Sequence, residues 1–198
     1  MSVELQEKVL VVPRTVIDPF CKTVFTPDAA SVEKAVLANC QFLERNQAEK
    51  DYNFKQVIPY VVVQHENRYL LVWRTTKQTE ARLHNLYSLG VGGHINDKDI
   101  PSTATNIILV GMRRELTEEI EVESEQSCEL VGIINDDSTD VSRVHMGFVF
   151  LLRTASPRYT IMEPEKYTAD WKSPSELANY YTKMETWAQI VCDHVITR

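Results

Sequence analysis

The sequence predicts an α/β or α+β sandwich. Strand-like stretches rich in Val, Tyr and Leu lie on both sides of one long helix with a single apolar stripe, and helical segments follow towards the C-terminus. The 198 residues are enough for one domain with an elaborated terminus, and they can bury a sizeable core without disulfide or metal staples. Two independent domains would be cramped.

Charge composition narrows the classes of partner. Acids outnumber bases 28 to 21, which gives a formal net charge of -7, and no run of Lys or Arg is long enough to form a nucleic-acid-binding stripe. A nucleic-acid duplex is therefore not expected as a partner. An acidic chain can still bind a phosphorylated substrate, provided that a divalent cation lies between its carboxylates and the phosphates.

Cysteine usage and the N-terminus indicate a soluble, cytoplasmic protein. The four cysteines are scattered, and none has a C-x-x-C or zinc-ligand spacing, so reduced thiols are expected. Glu4 and Glu7 occupy positions where a secretory signal carries positive charge, and no apolar run approaches membrane-spanning length. We expect no association with a membrane.

Residues 1 to 54 are predicted to form a strand and helix extension packed on a main domain of residues 55 to 198. Residues 9 to 17 resemble a short strand, and the apolar spacing from Asp28 to about Glu49 predicts an amphipathic helix. This part carries no chemical motif. Its expected role is to cap the main domain or to build a contact in a homodimer.

The main domain begins with strands and a glycine-rich loop. Residues 56 to 74 are typical of two strands joined by a short turn. Residues 86 to 93 are typical of a strand that enters the glycine-rich loop. The loop is predicted to continue to Ser102 or Thr103, each of which can cap the next helix.

The long helix is predicted from about Ala104 to Ile120, because apolar residues recur there every four positions. Strand-like segments follow at residues 128 to 134 and 144 to 152. The end of the chain is predicted to form one or two helices opened by Ser173 and Pro174.

Three carboxylates, of Glu115, Glu118 and Glu119, occupy neighbouring positions on the long helix. Residues three and four apart share an arc of about 100° on a helix. Like-charged i,i+4 pairs cost about 0.2–0.5 kcal/mol each, and a bound divalent cation would reverse that effect because Mg²⁺ takes carboxylate and phosphate oxygens as ligands. A solvated acidic helix end is the ordinary alternative for an isolated E-x-x-E-E run.

The segment GGHIND…RRELTEEIEV resembles the Nudix box, G-x5-E-x7-R-E-U-x-E-E-x-G-U, in which U is a bulky apolar residue. Gly93 fits the opening glycine, Arg114 and Glu115 fill the R-E pair, and Glu118 and Glu119 fill the E-E pair. The order of strands around the box, and a W-x-S-x-x-E-L segment near the C-terminus, extend the resemblance over about residues 55 to 198.

Two departures from the box affect its first and last positions. The loop between Gly93 and Arg114 is seven residues longer than the pattern, so an insertion is expected around residues 95 to 105. Counted back from Arg114, the first glutamate position falls on Asn106, and Glu121 replaces the final glycine. These changes put the helix exit in question more than the metal ligands.

The resemblance implies a Nudix-type α/β/α sandwich with a mixed central sheet and a Mg²⁺-dependent hydrolase, with Mn²⁺ as the alternative metal. The substrate class implied is a nucleoside diphosphate derivative or related small organic diphosphate, cleaved at its phosphoanhydride. Within the family, the resemblance extends to a branch whose members are described as predicted MutT-like phosphoesterases.

By the same resemblance, Glu118 and Glu119 hold the metal, while Glu115 is a further ligand or the base that activates water. Gly92 and Gly93 approach the cofactor, and the Gly92 carbonyl can complete the metal shell. Arg114 orients the glutamates, although an ordinary i,i+4 pair with Glu118 would also explain it.

Other side chains are weaker candidates, each with an ordinary structural explanation. They are His94 and His145 as substrate contacts, Asp136, Asp137 and Asp140 as extra ligands, Glu163 as an additional acid, and Trp73, Tyr87 and Trp171 as base-stacking residues. Arg74 is a further candidate as a phosphate contact, although a solvated side chain is the expectation for it.

Two further functions compete with hydrolysis. A Nudix-shaped ligand-binding sensor without turnover is the main alternative, and its motivation is the loss of box residues at Asn106 and Glu121. An isomerase of the isopentenyl diphosphate type is ranked last, because no Cys lies beside the box to act as its acid.

Overall fold

The computed structural model describes residues 7 to 77, 81 to 102 and 106 to 196. Predictions that involve Glu4, Thr103 and Ala104 lie outside these residues. Within the described part of the chain, no helix combines the length and apolar character of a membrane span.

The described strands are β1 (Lys8–Pro13), β2 (Phe25–Thr26), β3 (Gln41–Glu44), β4 (Phe54–His65), β5 (Arg68–Arg74), β6 (Tyr87–Ser88), β7 (Gly90–Val91), β8 (Ile120–Val122), β9 (Glu125–Ile134), β10 (His145–Thr154), β11 (Tyr159–Ile161) and β12 (Tyr167–Lys172). The α-helices are α1 (Arg14–Ile17), α2 (Ala29–Asn39), α3 (Arg45–Ala48), α4 (Ile107–Glu119), α5 (Asp140–Arg143), α6 (Pro174–Leu177) and α7 (Thr186–Val191). Short 3₁₀ turns occupy Ala81–Leu83, Asp97–Asp99 and Tyr181–Lys183, and a π-helical turn occupies Cys192–Ile196.

Hydrogen-bonded neighbours in the larger sheet follow the order β12–β5–β4–β10–β9–β2. Strand β1 branches from β4 and pairs with β3, while β6 pairs with β5 and β7 with β4. Strands β8 and β11 form a separate two-stranded sheet. The predicted α/β class, with a mixed sheet and accompanying helices, is confirmed.

The described residues divide into two compact units. The first unit comprises the described parts of Met1–Tyr60, Gly93–Glu115 and Leu130–Val149. The second comprises the described parts of Val61–Gly92, Leu116–Glu129 and Phe150–Arg198. The predicted division of the chain at residue 54 stays a prediction.

In the first unit, the N-terminal strand is bound closely to its neighbours. Strand β1 pairs antiparallel with β3 and with the start of β4, and the backbone N–H of Leu10 donates to the carbonyl of Ile95 at 2.8 Å. Val9, Val11 and Ala48 form a buried cluster, because alternate side chains of a strand face the same side. Residues near the N-terminus therefore support the loop that follows Gly93.

In the second unit, β5 lies between β4 and β12 and has antiparallel registers with both strands. Leu70, Leu71 and Val72 are almost fully buried, so this strand is apolar on both faces, as a central strand requires. Arg74 ends β5 opposite Tyr167 of β12, which places both residues in one short stretch of the sheet.

Helix α4 has the apolar stripe expected from the sequence. Ile108, Met112 and Leu116 are at most 4% exposed and recur every fourth residue. The Asn106 carbonyl accepts the backbone N–H groups of Leu109 and Val110 at the start of the helix. Helix α4 ends at Glu119, and the chain enters β8 at the next residue.

Candidate active site

Arg114 holds the glycine-rich loop against helix α4 in the first unit. Its Nε and Nη2 donate to the two Asp99 carboxylate oxygens at 2.7 and 2.8 Å, and Nη2 also donates to the His94 carbonyl at 2.9 Å. Its Nη1 donates to Glu115 Oε1 at 2.7 Å. These bonds, that to Asp99 above all, raise the pKa of the guanidinium, so Arg114 is a fixed cation that orients Glu115.

Gly93 lies directly against the Glu115 carboxylate. A Cβ atom added at Gly93 would be 2.5 Å from Glu115 Oε2 and 2.8 Å from Cδ, which is closer than real Cβ atoms come. The Glu115 side chain is 15% exposed. The glycine is therefore needed for the close approach of the loop to this carboxylate.

Asp99 is the acid that pairs with Arg114, and it was not predicted from the sequence. It is 2% exposed and completes a capping box with Asn96 in the 3₁₀ turn of Asp97–Asp99. Counting forward from Gly93, rather than back from Arg114, puts Asp99 at the first acidic position of the box. The insertion therefore follows Asp99.

Asn106, which the backward count put at the acidic position, has a helix-capping role instead. Its Oδ1 accepts the backbone N–H of Ile108 at 2.9 Å, and its Nδ2 donates to Glu33 Oε1 at 2.8 Å. Asn106 is explained by its hydrogen bond to a free backbone N–H group in the first turn of α4, so no catalytic role is needed to account for it.

Glu121 occupies the position of the final glycine of the box, and the backbone there does not require a glycine. It lies in β8 opposite Thr160 of β11, in an extended segment, and it is not among the described residues with positive φ. A side chain is tolerated there because the chain passes directly from helix to strand.

Glu119 is a buried acid in the second unit. It is 9% exposed, its Oε1 accepts the Tyr167 hydroxyl at 3.0 Å, and its Oε2 is buried without a hydrogen-bond partner. Burial raises the pKa of Glu119, opposed by the charge of Arg74, the Tyr167 hydroxyl and the Gly92 backbone N–H. Gly92 has φ of 148°, a conformation that favours glycine.

Arg74 is buried beside Glu119, so the sequence expectation of a solvated side chain is wrong. It is 5% exposed, and its Nη2 donates to Ser88 Oγ and to the Gly90 carbonyl at 3.4 and 3.3 Å. Its guanidinium lies 5.4 Å from the centre of the Tyr167 ring, and its Nε is buried without a partner. The end of a strand gave no local signal that this charge would be enclosed.

The two remaining predicted acids differ in environment. Glu118 is exposed on α4. Glu163 accepts a hydrogen bond from Lys166 at 2.6 Å, and its charge contributes to the raised pKa of Glu119. Because the backbone N–H of Met162 donates to the Glu119 carbonyl, Glu163 belongs to a segment anchored at the end of α4.

The turn of Asp136, Asp137 and Asp140 is structural. Asp137 accepts hydrogen bonds from Arg14 and from Lys55 Nζ, the latter at 2.7 Å. Lys55 is fully buried and also donates to three backbone carbonyls of this region, which makes the turn the acceptor shell of a buried ammonium group.

Of the aromatic candidates, Trp73 and Tyr87 line a cavity of about 340 Å³ together with Tyr180 and Lys172. The Trp73 and Tyr87 ring centroids are 4.6 Å apart. Trp171 instead donates to the Pro157 carbonyl at 2.8 Å, and Ser173 and Glu176 of the same motif form the capping box of α6. The W-x-S-x-x-E-L segment is thus a structural motif here.

His94 and His145, treated in the sequence analysis as structural by default, are brought together in the first unit. Their Nε2 atoms are 3.3 Å apart, and Glu49 Oε1 lies 3.9 Å from each of them. Glu49 was not a candidate, because nothing near it in the sequence suggests a ligand. Only the tertiary fold joins it to the two histidines.

Comparison with known proteins gives the family. No family model matches the sequence. The chain is 34% identical over 203 residues to Protein YmaB of Bacillus subtilis (strain 168), covering 96% of this chain and 98% of that protein. It is 33% identical to Tm1382, provisionally assigned as a Nudix hydrolase, whose crystal structure superimposes with a TM-score of 0.81 over 96% of this chain and 99% of that one.

A more distant likeness shows the fold alone. The NUDIX domain of Shewanella oneidensis NrtR is 13% identical, with a TM-score of 0.54 over 70% of this chain and 84% of that one. The box residues and the similarity to Tm1382 over almost the whole of both chains show that the chain belongs to the Nudix (MutT-like) hydrolase family.

Proposed function

We propose that the chain hydrolyses a phosphoanhydride bond of a small organic diphosphate, with a nucleoside diphosphate derivative as the leading class. The observation that carries this proposal is the buried Glu119 Oε2, which has no hydrogen-bond partner. Leaving a buried carboxylate oxygen unpaired is costly, and a hard divalent cation would offset that cost because such cations prefer carboxylate oxygens.

The donor set of helix α4 fits such a cation. Glu115, Glu118 and Glu119 all belong to this one helix at spacings of three and four residues. Carboxylates on a rigid helix suit Mg²⁺, which takes only a few protein ligands and completes its shell with water and phosphate oxygens. We propose Mg²⁺ as the metal and Mn²⁺ as its alternative.

The bound metal would neutralise charge on the diphosphate and polarise the bond to be broken. Within the chain, Arg114 positions Glu115, which acts as a further ligand or accepts the proton of the attacking water. Gly93 leaves room for that carboxylate beside the loop. The charge of Arg74, the Tyr167 hydroxyl and the Gly92 N–H favour the ionised form of Glu119, against the larger effect of burial, which raises its pKa.

A small-molecule diphosphate agrees with what is known of one fold relative. The NUDIX domain of Shewanella oneidensis NrtR was crystallised with ADP ribose. That likeness extends to the fold only, so the substrate class rests on the chemistry of the acids. Homodimer formation and a cytoplasmic location remain predictions.

A hydrolysis assay tests the proposal. The purified chain is incubated with Mg²⁺ and a panel of nucleoside diphosphate derivatives and simpler organic diphosphates, and phosphorylated products are measured. We expect turnover that requires the metal and falls at least about 100-fold in Glu119→Gln and Glu118→Gln. Glu129→Gln, which removes an exposed carboxylate that pairs with Arg153, should keep wild-type activity. Ligand binding without turnover in the wild-type chain would support the sensor instead.

A further inference from the structure

A second group of metal-ligand side chains lies in the first unit, outside the acids of α4. Glu49 follows α3, His94 follows Gly93 and His145 begins β10. One ligand atom from each of the three side chains lies within 4.8 Å of the other two. Three segments far apart in sequence therefore bring an oxygen and two imidazole nitrogens to one point.

The spacing of the two imidazoles agrees with joint coordination. Two nitrogens bound to a tetrahedral zinc at 2.0–2.1 Å are about 3.3 Å apart, and the Nε2 atoms of His94 and His145 are 3.3 Å apart. Glu49 Oε1, at 3.9 Å from each, needs only a small rotation of its carboxylate to reach the same shell. The geometry is close to that of a His-His-Glu site.

The tautomer of His145 is fixed in the form that a metal requires. Its Nδ1 lies 2.7 Å from the Val141 carbonyl, which can only accept, so Nδ1 carries the proton. Its Nε2 therefore carries a lone pair on the side of His94. Metal-binding histidines typically donate their other N–H to a carbonyl in this way.

The other two side chains are also positioned by neighbours. The His94 carbonyl accepts from Arg114, and Arg45 Nε lies 3.7 Å from the Glu49 carboxylate. The side chains of His94 and His145 are 14% and 9% exposed, whereas that of Glu49 is 35% exposed. A cation can thus arrive from solvent on the Glu49 side and meet imidazoles that are already in place.

We propose that Glu49, His94 and His145 form a second metal site for a first-row transition cation, with zinc as the leading candidate. Two imidazoles and one carboxylate favour such cations over Mg²⁺, which prefers oxygen ligands only. Three protein ligands leave a coordination position open for water or an anionic oxygen. The inference does not rest on the proposed hydrolysis, since cation binding alone tests it.

The site would link the N-terminal segment to the loop of the Nudix box. Glu49 comes from the N-terminal segment, and His94 follows the glycine that packs on Glu115. Because a metal bound by the folded chain stabilises it by mass action, zinc should raise the melting temperature. The N-terminal segment carries no motif of its own, but through Glu49 it would share a bound metal with the neighbouring loop.

The test is zinc binding by the full chain after treatment with a chelator. Calorimetric titration with Zn²⁺ and the visible spectrum of the Co²⁺ form are recorded for the wild type, Glu49→Gln and His94→Gln. We expect one zinc-binding site in the wild type and affinity at least about tenfold weaker in both variants. Glu44→Gln, which removes a half-exposed carboxylate at the end of β3 that pairs with Lys8, should bind zinc as the wild type does.

Other outcomes would overturn the proposal. Wild-type chain that takes up no zinc, or ligand variants that bind it unchanged, would rule the site out. Zinc uptake lost in Glu118→Gln but kept in Glu49→Gln would assign the zinc to α4 instead. Should His94→Gln fold poorly, the partly exposed Glu49→Gln still decides the matter, because zinc must then raise the melting temperature of the wild type and of Glu44→Gln more than that of this variant.

Discussion

Arg114 and Asp99 form a two-point pair, in which Nε and Nη2 of the guanidinium donate to separate oxygens of a carboxylate that is 2% exposed. The same guanidinium also donates to the His94 carbonyl and to Glu115. One side chain therefore fixes the loop, a candidate ligand of the second metal site and a candidate catalytic acid. Disturbing this pair should affect all three.

Arg114→Lys should weaken both activity and folding. A lysine has one ammonium group and cannot reproduce the planar fork, so Asp99 would lose part of its hydrogen bonding while still buried. We expect the free energy of unfolding to fall by about 1–3 kcal/mol and kcat to fall at least about tenfold. Urea unfolding and the hydrolysis assay measure the two effects. Unchanged kcat with lowered stability would show that Arg114 is structural only.

Gly93→Ala should reduce activity more than stability. The new methyl group would meet the end of the Glu115 side chain, 2.5 Å away, and that carboxylate is the part able to move. We expect a displaced Glu115, a kcat at least about tenfold lower and a melting temperature within a few degrees of the wild type. An alanine variant with full activity would contradict a catalytic or metal-binding role for Glu115.

Tyr167→Phe should raise the Mg²⁺ concentration that activity requires. The variant removes the hydroxyl that donates to Glu119 Oε1, and this bond favours the ionised carboxylate against the effect of burial. Glu119 would then be protonated at a higher pH and would compete less well for a cation. Activity measured against Mg²⁺ concentration should shift to higher values, whereas Tyr159→Phe, whose hydroxyl donates to a backbone carbonyl, should not shift it.

The sequence predicted local features well and tertiary ones poorly. Helix α4 and its stripe were accessible because Ile108, Met112 and Leu116 recur with the helical period. Glu49 was not accessible, since its meeting with two histidines depends on three distant segments. Arg74 was misjudged because a strand-end arginine is usually solvated, whereas the sheet encloses this one among Tyr167, Ser88 and Gly90.

The insertion between Asp99 and Arg114 hid the first acidic position of the box. Because of this insertion, the residue assigned to the first acidic position depends on the end of the motif from which positions are counted. Counting back from Arg114 gave Asn106, whereas counting forward from Gly93 gives Asp99. The structural roles of Asn106 and Glu121, as a helix cap and a strand residue, remove the two observations that motivated a sensor without turnover. The assignment of Glu115, Glu118 and Glu119 as metal ligands stays a prediction.

Asp137→Asn should destabilise the chain in a pH-dependent way. Burial tends to raise the pKa of Asp137, but hydrogen bonds from Arg14 and Lys55 outweigh it and lower the pKa below its usual value. A carboxyl with a lowered folded pKa contributes stability that is present above its unfolded pKa of about 3.9 and is lost as the pH falls through the folded value.

The variant keeps the shape of Asp137 but leaves the fully buried Lys55 ammonium without its carboxylate, although three carbonyl acceptors remain. We expect a loss of about 1–3 kcal/mol at pH 7, and the difference from the wild type should shrink as the pH falls below about 4. Urea unfolding across this range measures the difference, with Asp140→Asn as the exposed control. A difference that stays constant down to pH 2 would mean that the charge of Asp137 contributes nothing, and that the lost stability comes from altered packing of the turn.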